Sequence, residues 1–139
     1  MNSRRNPFVA GIAGLLVVSA LVLGGCQQAA LESKVIPLKT LNDSGVTGSV
    51  TLTALDARRT QVEIRVDPAG HPDMPSHIHP GTCTSLVPQP KYPLQNVMAG
   101  HSVTIVTAAF ADLLKGGLAV NIHRSNQDLA TYTACAELQ

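Results

Sequence analysis

The chain has no tryptophan, only two tyrosines and two phenylalanines, and 14% of its 139 residues are charged. It therefore lacks the aromatic platform on which single-strand nucleic-acid binders stack bases. A net charge of +1, with no basic cluster, excludes an electrostatic nucleic-acid footprint as well. Amphipathic helical periodicity is almost absent, and no internal repeat is visible, which argues against helical bundles and solenoids. Cysteine is scarce: three residues, an odd number that demands an explanation for one of them.

The N-terminus supplies it. Arg4 and Arg5 precede an apolar stretch from Phe8 to Leu23. That stretch is only marginally long for a bilayer, where roughly 20 apolar residues are expected, so it reads as an export signal rather than a membrane anchor. It ends in Leu23-Gly24-Gly25-Cys26, which resembles the bacterial lipobox. The resemblance implies a signal peptide over residues 1–25, a diacylglyceryl group on Cys26, and a tether over residues 26–33. The expected partner is then a membrane, reached through the lipid on Cys26. The expected location is the bacterial cell envelope, on its periplasmic or extracellular face. With Cys26 consumed by lipid, Cys83 and Cys135 remain as an even pair in a compartment where disulfides persist. In the chain-entropy model a bond between them is worth about 4 kcal/mol.

The rest of the chain, residues 34–139, reads as one small β domain. Lys34 to Leu38 is a first strand, at a sheet edge because Pro37 cannot donate to a ladder. Asn42 to Gly45 is a turn. Thr47 to Leu55 and Thr60 to Asp67 alternate, with Val50, Leu52 and Ala54, then Val62, Ile64 and Val66, on the inward faces. Arg58 and Arg59 form a hairpin tip between them. Ser76 to His79 is a short strand. Gly81 to Asn96 is a long irregular connection pinned by Cys83. His101 to Ala108 is a strand with Val103 and Ile105 inward, and Phe110 to Lys115 is one helical turn ended by Gly116 and Gly117. Leu118 to His123 and Thr131 to Leu138 are the last strands. Seven to eight short strands with Gly/Pro turns specify an antiparallel Greek-key barrel or sandwich.

Three histidines carry the chemistry. His77 and His79 are separated by one residue, so a strand presents both imidazoles on one face while Ile78 faces the core. Leu118, Val120 and Ile122 mark the core face of a later strand and leave Ala119, Asn121 and His123 opposite. All three imidazoles thus lie on outer faces, where they form a candidate site for a borderline metal such as copper or zinc. The bland alternative is three solvated histidines on a polar surface. His71 reads as a loop residue that supports the site, with a ligand role as its alternative. Met74 reads as an exposed loop residue, with a soft donor to Cu(I) as its alternative. His101 reads as solvated.

His77-Ile78-His79, Gly81 with Cys83, Val120-Asn121-Ile122-His123 and Ala134-Cys135 together resemble the copper/zinc superoxide dismutase family, in the same order along the chain. The early strand from Gly48 to Leu52 resembles that family's opening strands. The resemblance implies an eight-stranded Greek-key barrel, a Cys83–Cys135 disulfide, and one copper ion held outside the barrel wall by His77, His79 and His123. It also implies superoxide as a small ligand. Two departures bear on activity. Between Pro80 and Gly100 there is no His and no Asp, so the family's metal-bridging His and its zinc site have no counterpart and zinc is not expected. Tyr132 stands where the family places an anion-guiding Arg. The expected function is that of an exported copper-binding protein, with dismutation of superoxide as its enzymatic form. The alternatives are copper storage without catalysis and a metal-free interaction module, since the C-terminal half also resembles chordin-like domains.

Overall fold

The computed structural model describes residues 31–68 and 72–139. Within them the chain forms β1 (Ser33–Thr40), β2 (Thr47–Ala54), β3 (Thr60–Asp67), β4 (Ser76–Thr82), β5 (Ser85–Leu86), β6 (Tyr92–Pro93), β7 (His101–Val106), the short helix α1 (Phe110–Leu113), β8 (Leu118–Ser125) and β9 (Asp128–Leu138). All pairings are antiparallel. The strand order is β5-β4-β8-β9-β1-β2-β3-β7, with β6 also on β4, and the sheet curls into a half-barrel. The all-β antiparallel barrel or sandwich read from the sequence is therefore the observed fold class. The signal segment, Cys26 and most of the tether lie outside the described residues, as does His71; Ser33 already belongs to β1.

β1 joins the two halves of the sheet. Ser33 to Leu38 pair with β2, and only Lys39 and Thr40 pair with β9. Pro37 falls on the stretch that has β2 alone as a partner, where its missing N–H breaks no ladder. The interior is filled from both halves: Val50, Leu52, Val62 and Ile64 from one, and Ile78, Val120, Ile122 and Leu138 from the other. Fully burying side chains of this size stabilises the fold by roughly 1.5–3 kcal/mol each.

β1 lies between β9 and β2 in the sheet rather than at an edge as expected, and two further expectations fail. Val103 and Ile105 point outward, 41% and 56% exposed, whereas Ser102 and Val106 are buried. The register explains the reversal. Ser102 lies opposite Ile64 and Val106 opposite Thr60, and directly opposed residues share a face. The Thr60 hydroxyl, buried with them, donates to the Ala108 carbonyl at 2.9 Å. Hydrophobicity alone picked the wrong face of an edge strand. Met74 is the second of these two: it is neither exposed nor a metal donor but fully buried in the core, bridged to Val97 through the backbone. The connection after Gly81 is also less irregular than expected, because β5 and β6 both pair back onto β4.

Candidate metal centre

β4 and β8 pair in the register that builds the site. His77 lies opposite Asn121, and His79 opposite Ala119. Leu118, Val120 and Ile122 belong to the core cluster, and Ala119, Asn121 and His123 do not, as alternation requires. His77, His79 and His123 therefore share the face turned away from the core. That face is not open to solvent. His79 is 2% exposed and His123 6% exposed; only His77 is partly open.

The segment after β4 reaches this same face. Gly81 begins the turn into it with φ +116°, and a Cβ there would sit 2.1 Å from the Ser85 carbonyl oxygen, so only glycine fits. Two residues on, Cys83 is bonded to Cys135 of β9, with the Cα atoms 5.8 Å apart. The Cys83 N–H donates to the Glu137 carboxylate at 3.1 Å. Further along, the Val87 N–H returns to the Pro80 carbonyl at 2.8 Å. The segment is thereby tied down at several points, and the Val87 carbonyl meets His79.

Two backbone carbonyls set the imidazole tautomers. His79 Nδ1–H donates to Val87 O at 2.8 Å, and His123 Nδ1–H donates to Leu129 O at 2.6 Å. With the proton fixed on Nδ1, each ring keeps its lone pair on Nε2. His79 Nε2 is buried and has no hydrogen-bond partner. His123 Nε2 lies 3.1 Å from His77 Nδ1. One donor atom from each ring falls within 4.8 Å of the others. Nitrogen–metal bonds of about 2.0–2.1 Å put tetrahedral ligand atoms about 3.3 Å apart, so the His77–His123 pair already has the spacing that one ion needs. The atoms these rings could offer one metal ion are His77 Nδ1, His79 Nε2 and His123 Nε2. Carbonyls that orient metal-binding histidines in this way belong to the ordinary construction of such sites.

A bulge in β9 shapes the far wall. Ile122 pairs with Ala134 but His123 pairs with Tyr132, which leaves Thr133 as an extra residue. The Thr133 carbonyl accepts from the Leu41 N–H and the Ser44 hydroxyl, at 2.9 and 2.6 Å, so the bulge leaves no orphan there. It sets the Tyr132 ring edge-on to His123, with centroids 5.1 Å apart. Beyond the hairpin, the Asp73 carboxylate accepts from both Asn96 and Asn126 and ties the β8–β9 turn to the segment before β4.

Electrostatically the site favours neutral rings. Burial pushes the His77 pKa below its ordinary value, and the positive charges of His123 and His79 push it further. Burial also lowers His123; its hydrogen bond to Leu129 opposes that, and His79 adds to it. Among the described residues, the charges that bear on these rings are the other imidazoles. Arg124 is exposed and turned toward Asp128, 3.5 Å away. Neutral imidazoles are the form that binds metal.

The three histidines predicted from sequence are thus brought together, and the predicted cysteine pair is bonded. His101 is exposed as expected and meets Glu63 at 3.0 Å on the other half of the sheet. A surface groove of about 510 Å³ beside Asp56, Arg58, Arg59 and Thr107 includes none of the three rings. The sequence reading missed the Val87 and Leu129 carbonyls, because a backbone group leaves no mark on residue type. It also passed over Asn121, whose signal was present: a carboxamide inside an otherwise apolar strand. Comparisons with family models, with curated proteins and with solved structures each returned no match to this chain.

Proposed function

We propose that this chain is an exported, lipid-anchored protein that binds one copper ion through His77 Nδ1, His79 Nε2 and His123 Nε2. The observation that carries the reading is the buried, partnerless Nε2 of His79, held in that tautomer by Val87 and facing two further imidazole donors. An acceptor buried without a partner costs about 1–3 kcal/mol, and coordination of a metal offsets that loss. Three neutral nitrogens with no carboxylate suit copper rather than hard oxygen-seeking cations. The order of the His, Gly and Cys motifs, which resembles the copper/zinc superoxide dismutases, supports copper over zinc. The Cys83–Cys135 disulfide supports an oxidising compartment, in keeping with the lipobox-like Cys26.

Copper binding is the function the geometry supports best, with superoxide dismutation as a second reading. His77 is partly open, and three ligands leave a position free for an exogenous group. Against fast catalysis, Tyr132 rather than a cation stands beside His123. A copper titration of the purified chain against a competing chelator tests the binding. One equivalent should bind, copper should displace zinc, and His79→Ala or His123→Ala should abolish stoichiometric uptake. Uptake that survives both substitutions would remove the reading. A superoxide assay on the loaded chain separates the two forms, since a rate equal to that of free buffer eliminates the enzyme.

A further inference from the structure

Among the described residues, four buried side-chain atoms have no hydrogen-bond partner, and three of them lie on one face of the β4–β8 pair. One is His79 Nε2, the metal donor. The other two are Oδ1 and Nδ2 of Asn121; the fourth, Ser102 Oγ, belongs to the distant β7. Asn121 is completely buried. Other buried polar side chains nearby are satisfied: Ser76 donates to the Gln95 carbonyl at 3.0 Å, and Thr133 to the Ile122 carbonyl at 3.1 Å. Burying a carboxamide with neither end paired is unfavourable, and each such group in a native fold calls for an explanation.

Placement supplies one. Asn121 lies directly opposite His77 on β4 and Cys135 on β9, and two residues before His123 on its own strand. Opposed residues in an antiparallel pair share a face with Cβ atoms about 4.5–5.5 Å apart. The carboxamide is therefore flanked by a metal-binding ring on one side and by the disulfide on the other. The Asn121 Nδ2–H groups are neutral donors on this face that no protein acceptor takes up.

We propose that the Asn121 carboxamide orients a small anion of two or three atoms in the metal's remaining coordination position. This rests on the three-histidine metal reading. Nδ2–H donates to the anion, and Oδ1 accepts from the ligand when that ligand carries a proton, as hydroperoxide or water does. Both orphaned atoms are then satisfied by one bound molecule. Asn121 contributes orientation and selectivity for the exogenous ligand and leaves the metal to the imidazoles.

The test is an azide titration of the full chain loaded with Cu(II), followed by charge-transfer absorption, for wild type, Asn121→Val and Asn121→Ala. The alanine variant guards against poor fit of the branched side chain. Both should keep one copper per chain with affinity changed less than about twofold, and should bind azide about tenfold more weakly, the loss of one hydrogen bond to a charged group. Equal azide affinity in all three chains overturns the proposal and leaves the metal reading standing. So does loss of copper itself in the variants, which would make the amide a ligand. A wild-type chain that takes up no copper overturns both.

Discussion

The two halves of the sheet are built from the same kind of strand and end in different states. In the β2–β3 half, apolar and polar residues alternate, and burial alternates with them: Val62, Ile64 and Val66 are buried, whereas Arg65 and Asp67 are exposed. In the β4–β8–β9 half, every residue of β8 from Leu118 to His123 is buried. The second half has a second cover. The segment after Gly81, fixed by the Cys83–Cys135 bond, brings the Val87 carbonyl onto the outer face, and the polar residues there are enclosed. An imidazole or a carboxamide that would be hydrated on the first half is desolvated on the second. Site formation here is thus a matter of covering one face, not of changing the strands beneath it.

Removing site groups should break the comparison most strongly. His79→Ala and His123→Ala should each weaken copper binding by more than 100-fold, read by chelator competition, because loss of a ligand exceeds the 10–100-fold effect typical of outer partners. The core variant Leu52→Ala, in the other half, should leave copper binding unchanged while costing about 2–5 kcal/mol in denaturant unfolding. Copper affinity equally damaged by Leu52→Ala would mean that the halves are not functionally distinct.

The cover itself is tested next. Cys83→Ala with Cys135→Ala should cost about 4 kcal/mol of stability by the chain-entropy estimate for a separation of 52 residues. It should also weaken copper binding, since the Val87 carbonyl that fixes His79 is carried on the released segment. Stability loss with copper affinity untouched would detach the disulfide from the site.

Acid provides a smaller effect confined to the same half. His77 and His123 have folded-state pKa values below the ordinary 6.5, so the unfolded chain binds protons more readily than the folded one. Their contribution is neutral above that value. As pH falls below about 6.5 it becomes a penalty that grows until the folded-state pKa values are passed. Metal-free protein should lose stability over this window, and His77→Gln with His123→Gln should flatten the curve. A wild-type curve already flat between pH 7 and 5 would contradict the burial of these rings. The smallest effect belongs to the open face: Val103→Thr and Ile105→Thr on β7 should change stability by no more than about 0.5 kcal/mol.

Much of this was legible in the residues, for identifiable reasons. Alternation settled the faces of β2, β3 and β8, because each has its large aliphatic residues on one side only. His77, His79 and His123 followed from the same rule. Where the pattern was ambiguous it misled. In His101 to Val106 both faces carry β-branched residues, and only pairing with β3 decides that Ser102 goes inward and Ile105 outward. Met74 looked like a loop residue because Pro72 and Pro75 stand close on either side, and its burial comes with the long-range bridge to Val97. The tautomer-setting carbonyls of Val87 and Leu129 depend on where the backbone passes, which residue identity does not encode.

Electron paramagnetic resonance of the purified chain with one equivalent of Cu(II) tests the central claim most directly. The account predicts a single copper species coupled to three nitrogens, with His79→Ala reducing the nitrogen count and occupancy. A spectrum of free or heterogeneous copper in the wild type, or one that His79→Ala leaves unchanged, would contradict it.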